Sequence, residues 1–215
     1  MKKAILFDLD GTLLDTLEDL HAATNDTLRH FGCPERTLRE IRSIVGNGAR
    51  VQMEKSLPGR EDDPPVEQVL AFYQAHYRKV CTQGKTRPYA GIPEALRQLK
   101  EHYALAVVSN KPDPAVRLLC QQYFPGIYCL GVTDDCPRKP APDMVKKALT
   151  ALGAESCLYV GDSEVDIATA NNAGVPCLCV LWGFRDRDVL EAAGGKLFCE
   201  TTEELVKNIE EIYGK

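Results

Sequence analysis

Short, mostly apolar runs alternate with helical segments along most of this chain, and that alternation restricts the possible folds more than any other feature. The runs contain almost no charge, as expected of strands buried on both faces of a parallel sheet. A chain that repeats strand and helix is typical of an α/β fold, because a crossover must carry it back before the next parallel strand begins. The predicted strands are residues 4–7, 104–108, 127–132, 157–160 and 177–181.

Helical patterns fill the intervals between these strands. Gly153 and Gly174 stand where helix C-terminal caps belong, and the Thr201-Thr202-Glu203-Glu204 sequence resembles a capping box that would start a last helix reaching about Tyr213. The other predicted helices cover residues 93–101, 114–123, 142–152 and 163–173.

One long segment, from about residue 16 to residue 84, interrupts the alternation. It contains no convincing strand, and its apolar residues recur at helical spacing. A polar, proline-containing stretch at residues 59–65 predicts an exposed loop within it. We therefore predict a helical insertion directly after the first strand of the sheet.

Composition excludes several classes of protein. A formal net charge of -5 over 215 residues argues against a broad basic face for nucleic acid. The nine cysteines lack zinc-site spacing and predict small buried side chains in a reducing cytosol. The first apolar run stops at Asp8, too early for a signal peptide, and no run approaches the ~20 residues that span a membrane. We predict a cytoplasmic protein that binds neither nucleic acid nor membrane.

The strongest chemical signal is a pair of carboxylates at the end of the first predicted strand. Asp8 and Asp10 are two residues apart, so their side chains share a side of an extended segment. Ligands of open α/β sheets bind beyond the carboxyl ends of the strands, where Gly11 permits a sharp turn. Taken alone, this sequence is more typical of a solvated acidic turn that ends a strand, because such turns are common.

Other strand ends carry polar residues that suit the same site. Ser109 and Asn110 follow the second core strand, and Asp162 follows the fourth. Lys139 precedes the helix that leads to that fourth strand. Each has an ordinary explanation as a helix cap or a solvated loop residue, but their common edge favours one shared site.

Four motifs occupy these strand ends and the loop before the predicted helix at residues 142–152: DLDGT at 8–12, VVSN at 107–110, RKPAPD at 138–143 and GDSEVD at 161–166. With these motifs in this order, the chain resembles the haloacid dehalogenase superfamily, and within it the phosphoglycolate phosphatase-like branch. Residues 45–49 and 182–184 also look like features of that branch. The resemblance implies an α/β fold with a Rossmann-like parallel-sheet core, formed by residues 1–15 and 85–215, and an inserted helical cap domain, formed by residues 16–84.

The same resemblance implies a Mg²⁺-dependent phosphatase that acts through a phosphorylated aspartate. Asp8 would be the nucleophile, and Asp10 would protonate the leaving oxygen and later activate water. Ser109 and Lys139 would be the other catalytic groups, with Asn110 binding the phosphoryl oxygens. The metal ligands would be Asp8, Asp10 through its backbone carbonyl, and Asp162, with Asp166 orienting metal-bound waters.

Residues of the predicted cap suggest how a substrate would be chosen. The Gly46-Asn47-Gly48 turn before a helix could present backbone amides to an anion, and Arg50 adds positive charge. Asn47 and Arg50 are therefore candidate substrate-binding residues, with phosphoglycolate as the leading candidate among small phosphorylated metabolites. Lys111 and Arg185 stand just past strand ends, where a substrate contact and a solvated cation are equally compatible with the sequence.

Several alternatives remain open from the sequence. A dehalogenase needs no acid at the position of Asp10, because a halide leaves without a proton, so Asp10 favours phosphate chemistry. A phosphosugar mutase or a pyrophosphatase would keep all the same groups. A catalytically inactive binding protein would have lost part of the set, whereas Asp8, Asp10, Lys139 and Asp162 are all present. The sequence is compatible with a monomer or a homodimer.

Overall fold

The computed structural model describes residues 3–214 of the chain. The strands are, in chain order, Lys3–Phe7 (β1), Leu14–Asp15 (β2), Arg87–Pro88 (β3), Ala104–Pro112 (β4), Tyr128–Val132 (β5), Ser156–Gly161 (β6), Cys177–Val180 (β7) and Leu197–Cys199 (β8). The α-helices are Leu17–His30 (α1), Leu38–Ile44 (α2), Gly48–Ser56 (α3), Val66–Val80 (α4), Ile92–Leu99 (α5), Asp113–Tyr123 (α6), Asp143–Leu152 (α7), Glu164–Ala173 (α8), Arg187–Ala192 (α9) and Leu205–Tyr213 (α10).

A six-stranded sheet in the order β5-β4-β1-β6-β7-β8 forms the core, and every neighbouring pair in it is parallel. The central strand β1 pairs Ala4 with Ala104 on one side and with Cys157 on the other. Its apolar side chains are buried in clusters on both faces of the sheet, which explains why the strand carries no polar alternation. The predicted α/β fold with a Rossmann-like parallel sheet is confirmed.

The five predicted strands are present, and the differences lie in short elements. Three residues at Leu197–Cys199 add an edge strand, and α9 fills the interval before it; both are too short for a periodic pattern to reveal. The last helical segment begins where predicted, at Thr202 with Thr201 as its N-cap, but the capping box is not formed. The Thr201 side chain forms no cap hydrogen bond, and a 3₁₀ turn at Thr202–Glu204 precedes α10.

Four helices, α1 to α4, lie between the short strands β2 and β3. These two strands form an antiparallel pair in which Leu14 faces Pro88 and Asp15 faces Arg87. The helical segment therefore leaves the core and returns to it at one place. The predicted division into residues 1–15 with 85–215 and residues 16–84 stays a proposal that agrees with this path.

Two further expectations concern the whole chain. Most of the nine cysteines are buried, in agreement with the prediction of small buried side chains. Within residues 3–214, no helix combines the length and the apolar character required to cross a membrane.

Candidate active site

The two aspartates after β1 begin the site at the carboxyl edge of the sheet. The Asp8 amide still donates a sheet hydrogen bond to the Val160 carbonyl at 2.9 Å, so rigid backbone positions the Asp8 side chain. The chain then turns at Gly11, whose φ is +83°. A side chain there would be strained, and its Cβ would overlap the Asp162 carboxylate. Gly11 thus lets the loop after β1 lie directly against the end of β6.

Three buried carboxylates meet at this edge. Ligand oxygens of Asp8, Asp162 and Asp166 all lie within 4.8 Å of one another. Burial raises the pKa of Asp8 to about 7; Lys139 opposes this shift, and Asp166 adds to it. Burial, together with Asp166 and Asp8, also raises the pKa of Asp162 well above its usual value. Each raised pKa records the cost of gathering negative charge away from water.

Lys139 compensates part of that charge. Its Nζ lies 2.9 Å from Asp8 Oδ1 and 2.8 Å from Asp166 Oδ1, and it donates to the Tyr159 hydroxyl at 3.1 Å. Burial alone would lower the pKa of Lys139, but Asp166 and Asp8 outweigh it and raise that pKa well above its usual value. Lys139 is therefore a permanent cation between two of the three carboxylates.

Asp162 and Asp166 have different surroundings. Asp162 Oδ1 accepts from the Thr12 hydroxyl at 3.1 Å, and its Oδ2 accepts from the Phe184 amide at 2.7 Å. Asp166 accepts from Lys139 and, through Oδ2, from both the amide and the hydroxyl of Ser163. Ser163 is the N-cap residue of α8, so Asp162 is not needed as a helix cap and its carboxylate faces the site.

The donor set fits a hard divalent cation. Carboxylate oxygens are the ligands that Mg²⁺ prefers, and Asp8 Oδ1 is buried without a well-aligned hydrogen bond even though Lys139 is close. A cation at this point would relieve the repulsion that raises the pKa values of Asp8 and Asp162. Both Asp162 and Asp166 already accept hydrogen bonds from the protein through both oxygens. Asp162 is the better placed ligand of these two, because Asp166 is paired with the Lys139 cation and Asp162 is not.

The loop after β7 supplies groups to which the sequence analysis gave no chemical role. The Phe184 amide holds Asp162, and the Trp182 indole donates to the Thr12 carbonyl at 3.0 Å. Gly183 lies so close that a Cβ there would overlap the Asp162 carboxylate. The Trp182-Gly183-Phe184 motif was the sequence feature that could have indicated these groups. In the structure it follows the neighbouring strand β7 and holds the Asp162 carboxylate in place.

Three consecutive residues near the end of β4 line the opposite side of the site. Ser109, Asn110 and Lys111 are all buried and line a cavity beside Asp8. Asn110 donates to the carbonyls of Gly46 and Lys139 at 3.2 and 3.0 Å. Lys111, whose role the sequence left open, places Nζ 2.9 and 2.8 Å from the two oxygens of Asp10. Lys111 is therefore a buried residue of the site and not a solvated cation.

Arg185, also left open by the sequence, contacts the helical segment. It is buried, and it donates to the carbonyls of Arg42 and Val45 at 2.8 and 2.7 Å, at the end of α2. Glu164 pairs with its Nε at 2.8 Å. Arg185 therefore connects the sheet edge to the helical segment between β2 and β3 (α1 to α4), here called the cap segment. Its hydrogen bonds are made with protein groups.

The cap turn contacts the core through its carbonyl groups. Gly46 O accepts from Asn110, and Asn47 O accepts from Arg138 at 3.1 Å. Arg50 is half-exposed and pairs with Glu67 and Glu54; it lines a larger neighbouring cleft and is not among the residues that line the cavity at Asp8. The predicted substrate contacts of Asn47 and Arg50 stay predictions.

Two connected spaces lie between core and cap. The cavity at Asp8 and Asp10 has a volume of about 30 Å³, room for only about two water molecules. The adjoining cleft has about 840 Å³ and shares Asn110, Tyr73 and Tyr77 with the cavity. The cap segment thus covers the aspartates closely, and the cleft beside them leads toward solvent.

Comparisons with known proteins agree with this geometry. The family model for haloacid dehalogenase-like hydrolases matches residues 5–180. The phosphoglycolate phosphatase of Rhodobacter capsulatus is 36% identical over 191 residues, covering 86% of this chain and 87% of the relative. That of Cereibacter sphaeroides is 35% identical over 201 residues, covering 90% of this chain and 92% of the relative.

A solved structure extends the likeness to three dimensions. A Lactobacillus delbrueckii subsp. bulgaricus protein, provisionally named phosphoglycolate phosphatase, superimposes with a TM-score of 0.87 at 35% identity and covers 100% of both chains. The resemblance that the four motifs indicated is confirmed. This chain belongs to the haloacid dehalogenase-like hydrolase family.

Proposed function

We propose that this phosphatase depends on Mg²⁺ and hydrolyses small-molecule phosphomonoesters through a phosphorylated Asp8, with phosphoglycolate as its leading substrate. The observation that carries the proposal is the set of buried carboxylates Asp8, Asp162 and Asp166 around Lys139, beneath the cap segment. Its curated relatives named phosphoglycolate phosphatase add support for the substrate.

In the proposed first step, an Asp8 oxygen forms a bond to phosphorus as the bond between phosphorus and the ester oxygen breaks. Asp10 gives its proton to the departing alkoxide, and the alcohol leaves. In the second step, water attacks the phosphorus of phosphorylated Asp8 while Asp10 takes a proton from that water. The bond between Asp8 and phosphorus breaks, and inorganic phosphate is released.

The other residues would position the phosphoryl group and the metal and would neutralise negative charge. Lys139 offsets the charge that Asp8 and the phosphoryl group bring together, and the Ser109 hydroxyl offers a hydrogen bond to a phosphoryl oxygen. Asp8, Asp162 and the Asp10 carbonyl would hold Mg²⁺, with Asp166 orienting its waters. When bound, the metal supplies Lewis-acid stabilisation of the phosphoryl oxygens.

The narrow cavity favours small substrates. A space with room for about two water molecules must widen before a phosphate ester enters, and the cap segment is the part that covers it. Closure over a small ester would then exclude water from the site. We infer a cytoplasmic enzyme, monomeric or homodimeric, acting on a small phosphorylated metabolite with no role in nucleic acid binding.

A phosphate-release screen tests the proposal. The purified protein is assayed with phosphoglycolate, sugar phosphates, nucleoside monophosphates and pyrophosphate, in Mg²⁺ and in chelator. We expect phosphoglycolate to be hydrolysed fastest, chelation to abolish turnover and Mg²⁺ to restore it. Ca²⁺ should occupy the site yet inhibit, because its looser coordination misplaces nucleophile and phosphorus.

Full activity in chelator would exclude the metal-dependent scheme. Preference for pyrophosphate or a sugar phosphate would reassign the substrate and leave the nucleophile assignment standing. Trapping of phosphorylated Asp8 by acid quench and mass spectrometry tests that assignment directly.

A further inference from the structure

Lys111 is a buried cation that the proposed chemistry does not use. Its side chain is only 3% exposed, and its Nζ lies 4.5 Å from the centre of the Tyr77 ring on α4. An ammonium group has three N–H donors. Among the described residues its hydrogen-bond acceptors are the two oxygens of Asp10. The third N–H has no oxygen acceptor there. Its neighbour is the Tyr77 ring, a weaker contact that an anion in the cavity lined by Lys111 could replace.

The Tyr77 hydroxyl is a second unused donor. Tyr77 is 3% exposed and lines the same cavity, and its hydroxyl has no hydrogen-bond partner among the described residues. A buried polar group without a partner is costly and calls for an explanation. Burial, with Asp10 adding to it, raises the Tyr77 pKa well above its usual value, so the hydroxyl keeps its proton and stays a donor.

The two lysines of the site serve different aspartates. Lys139 contacts Asp8, the proposed nucleophile, whereas Lys111 contacts Asp10, the proposed acid. Because the acid must reach the ester oxygen, Lys111 lies on the side of the leaving group. Tyr77 joins it there from the cap segment. Both residues line the cavity beside Asp10, so a group one or two atoms beyond the ester oxygen would be within reach of the Lys111 ammonium and the Tyr77 hydroxyl.

We propose that Lys111 and Tyr77 form a subsite for a carboxylate on the leaving group of the substrate. This inference rests on the proposed phosphatase function and names the class of ester that the site selects, a phosphorylated small hydroxy acid. A carboxylate accepts from both donors at once and matches the positive charge. In a glycolate leaving group, one methylene separates the ester oxygen from the carboxylate, which suits the closeness of Lys111 to Asp10.

Charge supports the same assignment. Two lysines and the proposed Mg²⁺ would balance the four aspartates Asp8, Asp10, Asp162 and Asp166, and a phosphoryl group would then add negative charge. A further anion would be repelled unless a cation faced it. Lys111 is the buried cation that lines the cavity next to Asp10, whereas Arg50 is half-exposed and lines only the neighbouring cleft.

The test compares two esters that differ in one group. Phosphoglycolate carries a carboxylate, and its amide, glycolamide phosphate, has nearly the same shape without the charge. The measured quantity is the ratio of kcat/KM for the acid to kcat/KM for the amide. Wild-type enzyme should favour the acid, and Lys111→Met should reduce that ratio by about 30-fold or more. Lys111→Arg, which keeps the cation, should retain part of the preference.

Matched variants separate this subsite from other causes. Tyr77→Phe should lower the ratio about tenfold, because a hydrogen bond to a charged group is lost. Tyr73→Phe is its control: Tyr73 lies on the same helix and stacks on Tyr77 with ring centres 5.8 Å apart, but its hydroxyl, unlike that of Tyr77, is not among the buried polar groups left without a hydrogen-bond partner. Tyr73→Phe should leave the ratio unchanged, whereas Arg50→Met tests the competing assignment of the carboxylate to Arg50.

Each outcome bears on one proposal. A wild-type enzyme that hydrolyses aryl phosphates but turns over amide and acid equally well overturns the subsite and leaves the phosphatase intact. This comparison needs no variant to fold. Loss of the preference in Arg50→Met, with Lys111→Met still selective, would move the carboxylate to the cap arginine. No turnover of any phosphate ester would instead refute the proposed function itself.

Discussion

The two sides of the active site are built differently. The core side consists of charged groups from strand ends, and Asp162, Asp166 and Lys139 each contact other core groups. The cap side contributes little charge near Asp8: it offers apolar surface, the carbonyl groups of a glycine turn and the unpartnered Tyr77 hydroxyl. The core side is thus organised before substrate arrives, whereas the cap side has a donor left to satisfy.

This difference separates chemistry from selection. Groups that act on phosphorus must be positioned before reaction, and strands position them more rigidly than a covering helix does. The proposed recognition of the leaving group draws on both sides, with Lys111 from β4 and Tyr77 from α4. Lys111 is the point of contact, since it extends from β4 and touches both Asp10 and the Tyr77 ring.

Replacing the proposed nucleophile on the core side should cause the largest loss of activity. Asp8→Asn removes the attacking oxygen while keeping the shape, and we expect kcat to fall by about 10⁴ to 10⁶-fold for every ester. Phosphoenzyme should be absent after acid quench. The metal-free variant should melt no lower than wild type near pH 8, because a buried carboxylate with a raised pKa has been removed. Phosphoenzyme formation by this variant would show that another group attacks.

Replacing the proposed acid should have a smaller effect that depends on the leaving group. Asp10→Asn should slow formation of the phosphoenzyme about 10² to 10⁴-fold for alkyl esters, which need a proton. Esters with good leaving groups, such as p-nitrophenyl phosphate, should lose much less in that step. Rapid-quench measurement of phosphoenzyme separates it from breakdown. Equal losses for both esters would argue against the acid role.

The raised pKa of Asp8 predicts how metal binding depends on pH. That pKa is 3.8 ordinarily and about 7 in the metal-free fold. Between these values the folded carboxyl holds a proton that the unfolded one has lost, so metal-free stability falls as pH rises through this range. A bound cation removes the loss, and protons compete with it at lower pH.

Mg²⁺ should therefore raise the melting temperature more near pH 8 than near pH 5, with apparent affinity falling about tenfold per pH unit below 7 for each proton displaced. Thermal melts with and without Mg²⁺ across this range make the measurement. Asp8→Asn is the control and should respond less to pH. Equal stabilisation at both ends would contradict the interpretation of the carboxylate cluster.

Loosening the contact between core and cap should give the smallest effect. Arg185→Met removes donors from the carbonyls of Arg42 and Val45 and leaves Glu164 unpaired. We expect a loss of about 1–3 kcal/mol in unfolding free energy and a decrease in kcat/KM shared by all esters. Arg42→Met is a more exposed comparison, because Arg42 pairs with Asp186 at the surface. A change confined to acid substrates would instead place Arg185 in recognition.

Sequence was sufficient for the core because its signals repeat. Each long strand has a continuous apolar run, and the polar residues that follow these runs meet at one edge because parallel strands end together. Asp8, Ser109 and Asp162 could be grouped on that basis alone. The strands β2, β3 and β8 lacked this signal, since two or three residues cannot display a period.

The cap side was harder because its roles depend on distance. Helical spacing predicted helices within residues 16–84, but only coordinates show that the Tyr77 hydroxyl is buried beside the aspartates without a partner among the described residues. Lys111 and Arg185 look alike in sequence, each just beyond a strand. In the structure one contacts Asp10 and the other contacts cap carbonyls, a difference that no local pattern encodes.

The short pairing of Leu14 with Pro88 and of Asp15 with Arg87 has an evolutionary consequence. Chain insertions are best tolerated where entry and exit lie side by side, because the host then keeps its own connectivity. Here about seventy intervening residues can lengthen, shrink or be exchanged between lineages without altering the order of the six-stranded sheet. The same hydrolytic core could thus act on new substrates after replacement of the segment between β2 and β3 alone, because the β2–β3 pair already closes the connection.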